Sequence, residues 1–155
     1  MTENDRIYAN IDIKHRGVLR KGSWQTEQRQ YSSEPILIIG KVGDEKRGTI
    51  NASLKVEREF DYETESYVEA TRYINLGNIS VQPKHRHKGL GSAMLKELDN
   101  QAGLFGAEKI TGNVAPSDIE ETPSLLEFYK KNGYAVGERD GGWTVVKIFK
   151  QRALH

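Results

Sequence analysis

Residues 76–102 read LGNISVQPKHRHKGLGSAMLKELDNQA, and this stretch decides how the rest of the chain is interpreted. Its pattern predicts a strand, then a basic loop that contains glycine, and then an amphipathic helix that begins at Gly89. A helix N-terminus presents unpaired N–H groups, and glycines let the backbone approach a ligand closely. With the flanking cations Lys84, Arg86 and Lys88, the stretch therefore predicts a phosphate-binding site.

The composition limits the kinds of protein that this chain can be. A length of 155 residues is enough for a real core, and we expect residues 1–155 to form a single domain. The formal net charge of +1 gives no overall attraction to nucleic acid or to a membrane. The absence of cysteine excludes disulfides, thiolate metal ligands and a cysteine nucleophile. With no signal peptide and no apolar run of about 20 residues, we expect a cytoplasmic protein.

Alternating and β-branched apolar residues predict seven strands, and a second helix is predicted to begin at Thr122-Pro123 and to end at Asn132-Gly133. Residues 17–35 show no clear period and are predicted to be mostly loop, as is the acidic stretch 58–66. These elements predict an α/β (α+β type) fold, with a mixed, mostly antiparallel central sheet of about six to seven strands and helices on both faces. The predicted strands lie at 7–13, 36–42, 50–56, 68–81, 107–114, 134–137 and 143–149.

The strand before the glycine loop changes its buried parity partway along. Ile74 and Leu76 occupy even positions, whereas Ile79 and Val81 occupy odd positions. Because side chains alternate between the two faces of a strand, this change requires one extra residue. A β-bulge near Gly77-Asn78 supplies it, and bulges are frequent beside active sites.

The loop itself has the pattern Arg-x-x-Gly-x-Gly over residues 86–91. It lacks the Gly-Lys-Ser/Thr end of a Walker loop and the three glycines of a dinucleotide fingerprint. The basic run 84–88 could contact nucleic acid, but no aromatic residues interleave it, so we predict no nucleic-acid partner. A zinc site made of His85 and His87 has no thiolate and no obvious third ligand, so we predict no metal.

Two segments carry a resemblance to a known family. ISVQPKHRHKGLGSAMLKEL, residues 79–98, resembles the signature motif of the GNAT superfamily of N-acetyltransferases, in which Arg/Gln-x-x-Gly-x-Gly/Ala holds the pyrophosphate of acyl-CoA. LLEFYKKNGY, residues 125–134, resembles that family's later helix, where a tyrosine precedes a Gly-aromatic pair. The resemblance covers about residues 68–149 and implies the acyl-CoA N-acyltransferase fold, with this range as the CoA-binding core. It implies an enzyme that moves an acetyl group from acetyl-CoA, its co-substrate, directly to a primary amine of a small molecule or protein.

The resemblance also implies roles for individual residues. The strand past the bulge would hydrogen-bond the pantetheine arm, and the loop amides would bind the pyrophosphate. Tyr129 matches the tyrosine that is proposed to protonate the leaving CoA thiolate, with a core tyrosine on an apolar face as the alternative. The implied cofactor-binding residues are Ile79, Ser80, Val81, Arg86, His87, Lys88, Gly89, Leu90, Gly91, Ser92 and Asn113.

The general base is not settled by the sequence. Family members with a dedicated glutamate carry it about eleven residues before the loop arginine; that position is Asn75 here, and an amide cannot act as a base. Glu69 is the nearest carboxylate on the same strand and becomes the catalytic candidate, with Glu120 and Glu121 as alternatives and a water relay favoured. Asn75 also keeps open a second reading of the chain, a non-catalytic acyl-CoA-binding module on the same fold.

Residues 17–35 bear on the acceptor side of the site. Family members usually place one or two helices between their first two strands, and residues 17–35 lack a helical period. The acceptor site is therefore expected to be open or completed by a second subunit, which allows for a homodimer. Trp24, Tyr31 and the acidic residues within 57–65 would suit a cationic acceptor, and a solvated loop is the alternative.

Overall fold

One sheet of eight strands and three α-helices are formed by the residues that the structure describes. This structure is a computed structural model, and it describes residues 11–14, 22–25 and 29–149. None of the helices in these ranges is long and apolar enough to cross a membrane. The strands are β1 (Ile11–Lys14), β2 (Gly22–Gln25), β3 (Arg29–Val42), β4 (Glu45–Asp61), β5 (Ser66–Val81), β6 (Lys109–Val114), β7 (Ala135–Arg139) and β8 (Gly142–Ile148). The helices are α1 (Leu90–Phe105), α2 (Pro116–Glu121) and α3 (Leu125–Lys131), and a short 3-10 turn spans Pro83–His85.

The sheet is mixed, and its strand order is β1-β3-β4-β5-β6-β8-β7, with β2 paired to β3 beside this path. Only β5 and β6 run parallel among the described strands, because α1 crosses over between them and returns the chain in the same direction. The remaining pairs are antiparallel. The predicted fold class, a mixed and mostly antiparallel sheet with packed helices, is confirmed.

The core lies between α1 and the central strands. Every fourth residue of α1 faces this core, as the sequence period predicts. The helix rests closely on the sheet, since a Cβ added at Gly40 would come within 2.8 Å of side-chain atoms of both Leu90 and Met94. The fully buried side chains of this layer are Ile36, Ile38, Ile50, Ile74, Leu90, Met94, Leu95, Leu98, Ile110 and Val145.

The central hairpins are longer than the sequence predicts. Of residues 17–35, the structure describes 22–25 and 29–35, and both ranges are strand rather than loop. Backbone pairing explains the difference: β2 pairs with β3 at Trp24 and Tyr31, and β3 pairs with the distant β4 at Tyr31 and Glu57, which the local sequence pattern does not contain. The stretch 58–66 is likewise strand up to Asp61, followed by a tight turn. Of the strand predicted at 7–13, residues 7–10 lie outside the described residues.

Two helix boundaries differ from the prediction. The helix α1 passes through Gly103 and ends at Phe105, and it is capped by Gly106, whose φ of 68° is a left-handed conformation that glycine adopts easily. The predicted helix start at Thr122-Pro123 is wrong, because α2 has already formed and Thr122 donates its N–H to Asp118 O at 2.9 Å. The predicted end of α3 is confirmed at Asn132, with Gly133 at a φ of 92°.

Candidate functional site

The strand that leads to the glycine loop contains the predicted bulge. In the register between β4 and β5, Asn51 pairs with Asn78 and Ala52 pairs with Leu76, so Gly77 is the extra residue. A side chain would not fit easily at that position, since an added Cβ would lie 3.0 Å from the carbonyl oxygen of Asn51. The bulge shifts which side chains face the core, and this confirms the parity argument.

The sheet opens immediately after this bulge. The parallel pairing of β5 with β6 covers only Ile74–Leu76 against Ile110–Gly112. Further along, the segment Ile79–Val81 pairs with β4 on one side only. Its other edge therefore presents backbone N–H and C=O groups that no neighbouring strand takes up, and an extended ligand can pair with such an edge.

A cavity of about 620 Å³ lies at this opening, within the usual size range of ligand pockets. It is walled by β5 beyond the bulge, by the glycine loop, by the start of α1, by the end of β6 and by residues of α2 and α3. Three predicted site residues do not line the cavity: Lys88, Leu90 and Glu69. The predicted site residues that line the cavity are Ile79, Ser80, Val81, Arg86, His87, Gly89, Gly91, Ser92, Asn113 and Tyr129.

The backbone of the glycine loop is shaped by two residues in the left-handed region. Gly89 has a φ of 92°, and His87 has a φ of 61°. Histidine is among the side chains that tolerate this conformation better than most. The first helical bond of α1 runs from Ala93 N–H to Gly89 O at 2.9 Å, so the three preceding amides have no partner within the helix. These amides are suited to bind an anion.

Two predicted loop residues are used differently from the expectation. The Arg86 side chain donates from Nε to Val81 O at 3.0 Å, and it thereby ties the loop to the end of β5. The Leu90 side chain is fully buried in the core, so only its backbone is available to a ligand.

Gly91 has a packing role that the sequence reasoning missed. A Cβ added there would lie 3.0 Å and 3.1 Å from two ring carbons of Phe128. The glycine therefore allows α3 to pack against the first turn of α1. The sequence carries no local signal for this contact, because only the fold brings residues 91 and 128 together.

Tyr129 is both a core residue and a wall of the cavity. Its exposed fraction is 4%, and its ring packs at centroid distances of 5.6 Å from Phe128 and 5.5 Å from Tyr134. Burial, and secondly the nearby carboxylate of Asp118, raise the pKa of Tyr129 to about 12. The phenol is therefore protonated at neutral pH and can act as a hydrogen-bond donor.

The carboxylates near the cavity are not those on the bulged strand. Glu69 accepts two hydrogen bonds from the Arg72 guanidinium, at 2.7 Å and 3.1 Å, and lies outside the cavity wall. Asp118 and Glu121 line the cavity, whereas Glu120 does not. Sequence reasoning missed Asp118, although its position three residues after Ala115 is typical of a helix start. Its Oδ2 accepts the Ala115 N–H at 2.8 Å.

The bulged strand, the opened strand pair and the start of α1 therefore meet at one cavity. The model of the acetyltransferase (GNAT) domain family matches residues 42–136. The chain therefore belongs to the GNAT acetyltransferase family, as the sequence motifs predicted. Among curated proteins, none matches this sequence.

Solved structures share the fold at low sequence identity. PaiA N-acetyltransferase from Thermoplasma acidophilum in complex with coenzyme A is 18% identical, with a TM-score of 0.52; the match covers 73% of this chain but only 60% of that one. Naa50 from Arabidopsis thaliana in complex with the bisubstrate analogue CoA-Ac-MVNAL is 17% identical, with a TM-score of 0.54 and coverages of 73% and 72%. A third structure is a Bacillus anthracis protein provisionally assigned as a streptothricin acetyltransferase, in complex with acetyl coenzyme A. It is 15% identical, with a TM-score of 0.52, and the match covers 75% of this chain and 63% of that one.

Proposed function

We propose that the protein is an acetyl-CoA-dependent N-acetyltransferase that acts on a primary amine of a small molecule or protein, and that its chain forms a single domain. The observation that carries this proposal is the cavity at the opening of the sheet. It joins an unpaired strand edge, a helix N-terminus and a buried, protonated tyrosine. The CoA-bound and acetyl-CoA-bound structures that share the fold support the same ligand class.

The donor would lie along this opening. The amide groups of the pantetheine arm pair with the free edge of Ile79–Val81, in the manner of an added strand. The pyrophosphate binds the amides at the start of α1, where the partial positive charge of the helix stabilises it. Ser92 and Asn113 add polar side chains to the same wall.

The chemical step needs a route for two protons. The amine nitrogen attacks the thioester carbon, a tetrahedral intermediate forms, and the C–S bond then breaks to give the amide and the CoA thiolate. A backbone N–H at the bulge stabilises the oxyanion. Tyr129 donates a hydrogen bond to the thiolate and then its proton, and solvent restores that proton. Since an ordinary thiol has a pKa of about 8.5, this transfer depends on the cleft raising the pKa of the CoA thiol.

A carboxylate of the cavity wall takes the proton from the amine, directly or through water. Asp118 and Glu121 are placed for this role because they line the cavity, and Asp118 acts electrostatically on Tyr129. The Arg72 contact and the position outside the wall make Glu69 the weaker candidate. Asn75 lies between Ser53 and Thr111 in the sheet register and does not line the cavity.

The second candidate function is a non-catalytic acyl-CoA-binding module. The observation in its favour is that Asn75 occupies the position where some family members have the glutamate that acts as general base. The two functions predict the same ligand but different turnover, so one pair of measurements separates them.

The first measurement is calorimetric titration with CoA and acetyl-CoA, followed by assays of thiol release with a panel of primary amines. Binding together with release of free thiol above background supports the transferase. Binding without amine-dependent release favours the module, and no binding of either compound contradicts both.

The site is located by a charge introduced at the loop. Gly89→Asp should weaken CoA binding at least 100-fold, because it places an anion against the pyrophosphate and strains a left-handed backbone. Gly141→Asp is the matched control, since that glycine has a φ of 82°, open space around its Cβ and no place in the cavity wall. Equal affinities in the two variants would mean that the phosphates bind elsewhere.

Removal of the Tyr129 hydroxyl separates the proposed chemical role of this residue from its role in core packing. Tyr129→Phe keeps the ring in the core and removes the proton, so we expect kcat to fall about 10² to 10⁴-fold while the Kd for acetyl-CoA stays nearly constant. An unchanged kcat would make Tyr129 a core residue only.

A further inference from the structure

A polar contact joins the end of α3 to Ser92, a cavity-lining residue in the first turn of α1. Asn132, which directly follows α3, donates from its side-chain nitrogen to Ser92 Oγ at 3.1 Å and to Phe128 O at 2.9 Å. A backbone carbonyl can only accept, so the side-chain group that faces it is the NH₂ and not the amide oxygen. The direction of the contact with Ser92 is therefore fixed: the amide donates and the hydroxyl accepts.

This direction decides where the Ser92 hydrogen goes. A hydroxyl has one hydrogen, and here its oxygen is already used as an acceptor by Asn132. Within the described ranges, no other group accepts that hydrogen. Ser92 lines the cavity beside Gly91, next to the amides at the start of α1. The hydroxyl hydrogen is thus left for a ligand that only accepts, such as a phosphate oxygen.

Asn132 is itself held in place from a second direction. Lys147 donates to the carbonyl oxygen of Asn132 at 3.1 Å and to Asp99 Oδ2 at 2.6 Å. The side chains of this ion pair are only about a quarter exposed, at 24% and 26%. Because Asp99 belongs to α1, the pair fixes the end of α3 against the helix that carries Ser92.

We propose that Asn132 is a positioning residue that directs the Ser92 hydroxyl toward a phosphate of the bound donor. The inference rests on the proposed function, since it needs a CoA-type ligand in the cavity. It goes further by giving a specific task to a residue outside the glycine loop, one that does not line the cavity itself.

A double-mutant cycle on the CoA Kd tests this proposal. Ser92→Ala should raise the Kd for CoA about 10- to 100-fold, which corresponds to one hydrogen bond to a charged group. Asn132→Ala should raise this Kd severalfold when Ser92 is present and should have no further effect when Ser92 is already alanine. Asn132→Asp should raise the Kd most, because a carboxylate accepts the Ser92 hydrogen and turns it away from the phosphate. Asn100→Ala, at an exposed position of α1, is the control and should leave Kd unchanged.

A ligand without phosphate separates positioning from general damage to the fold. Pantetheine carries the same thiol arm without the pyrophosphate, and the Asn132 variants should bind it as the wild type does. The proposal is overturned if Asn132→Ala weakens CoA equally with and without the Ser92 hydroxyl. It is also overturned if the variants lose CoA and pantetheine to the same extent. Failure of the wild-type protein to bind CoA would instead contradict the proposed function, before any variant is compared.

Discussion

At the scale of single residues, Tyr129 shows that a core residue and a candidate catalytic residue can be the same side chain. The sequence allowed a general acid or an apolar-face tyrosine as alternatives. In the structure the ring packs in the core, while the residue also lines the cavity. Burial is what keeps the phenol protonated, so the packing supports the proposed chemistry.

The raised pKa of Tyr129 predicts how stability depends on alkaline pH. Folding raises this pKa from 10.0 to about 12, so the unfolded chain releases the proton first. The associated stability is fully present below pH 10 and is lost as the pH rises through 12. At pH 11 the loss is about 1.4 kcal/mol. Between pH 8 and pH 11, the free energy of unfolding should therefore fall by about 1.4 kcal/mol less in Tyr129→Phe than in the wild type, as measured by urea unfolding.

Two comparisons make this measurement specific. Burial and the nearby Asp99 also raise the pKa of Tyr134, so part of the alkaline loss persists in the Tyr129→Phe variant. Tyr62→Phe changes a side chain that is 71% exposed. This variant should lose as much unfolding free energy between pH 8 and pH 11 as the wild type does. Equal losses in the wild type and Tyr129→Phe would mean that Tyr129 does not titrate as its burial implies.

The loop residues were predictable from the sequence, but Asp118, a carboxylate of the cavity wall, was not. Gly89, Gly91 and Ser92 stand in a local strand–loop–helix pattern, and each of them lines the cavity. Asp118 reaches the same cavity from a later helix, and only the tertiary fold brings it beside Tyr129. Local spacing contains the first kind of information and not the second.

At the scale of elements, the contact between α1 and α3 depends on one glycine. Gly91→Ala gains helix propensity of roughly 0.5–1 kcal/mol but forces the Phe128 ring to move, at a cost of about 1–3 kcal/mol. We therefore expect a net loss of roughly 1 kcal/mol in the free energy of unfolding, measured by denaturant titration. The CoA affinity should fall as well, because the ring and the glycine share the cavity wall.

The same helix offers a matched control for this substitution. An added Cβ at Gly103 has nothing within 4 Å, so Gly103→Ala should stabilise the protein through propensity alone. In a Phe128→Leu background, the Gly91→Ala change should also become neutral or stabilising. If Gly91→Ala stabilises the wild-type protein as Gly103→Ala does, the packing explanation is wrong.

The strands show which elements a sequence can predict. The bulge at Gly77 was predictable because apolar side chains mark the faces of β5 with a period of two, and one extra residue reverses them. The first half of β3 was not, because it carries polar residues on both faces, and β2 is too short, at four residues, to show a period. Their pairing with each other and with β4 supplies the order that their own pattern lacks.

At the scale of the whole molecule, the position of the cavity follows from the connectivity of the sheet. Among the described strands, the one parallel pair lies between antiparallel neighbours, and it extends over only three residues of each strand. Beyond those residues β5 continues with β4, while β6 continues with β8, so the sheet separates between them. The sequence predicted the fold class and the bulge, but this separation depends on pairings between distant segments.

The separation predicts where a bound donor should protect the backbone. With saturating CoA, hydrogen exchange should slow at residues 79–81 and 87–92, because the ligand covers the free strand edge and the helix start. The far turn at 62–65, at the other end of the β4–β5 hairpin, should exchange at its ligand-free rate and serves as an internal control. Gly89→Asp at the same CoA concentration should show no protection in either segment. Protection that appears at 62–65 but not at 79–81 would place the donor on a different part of the sheet and would contradict the site proposed for it.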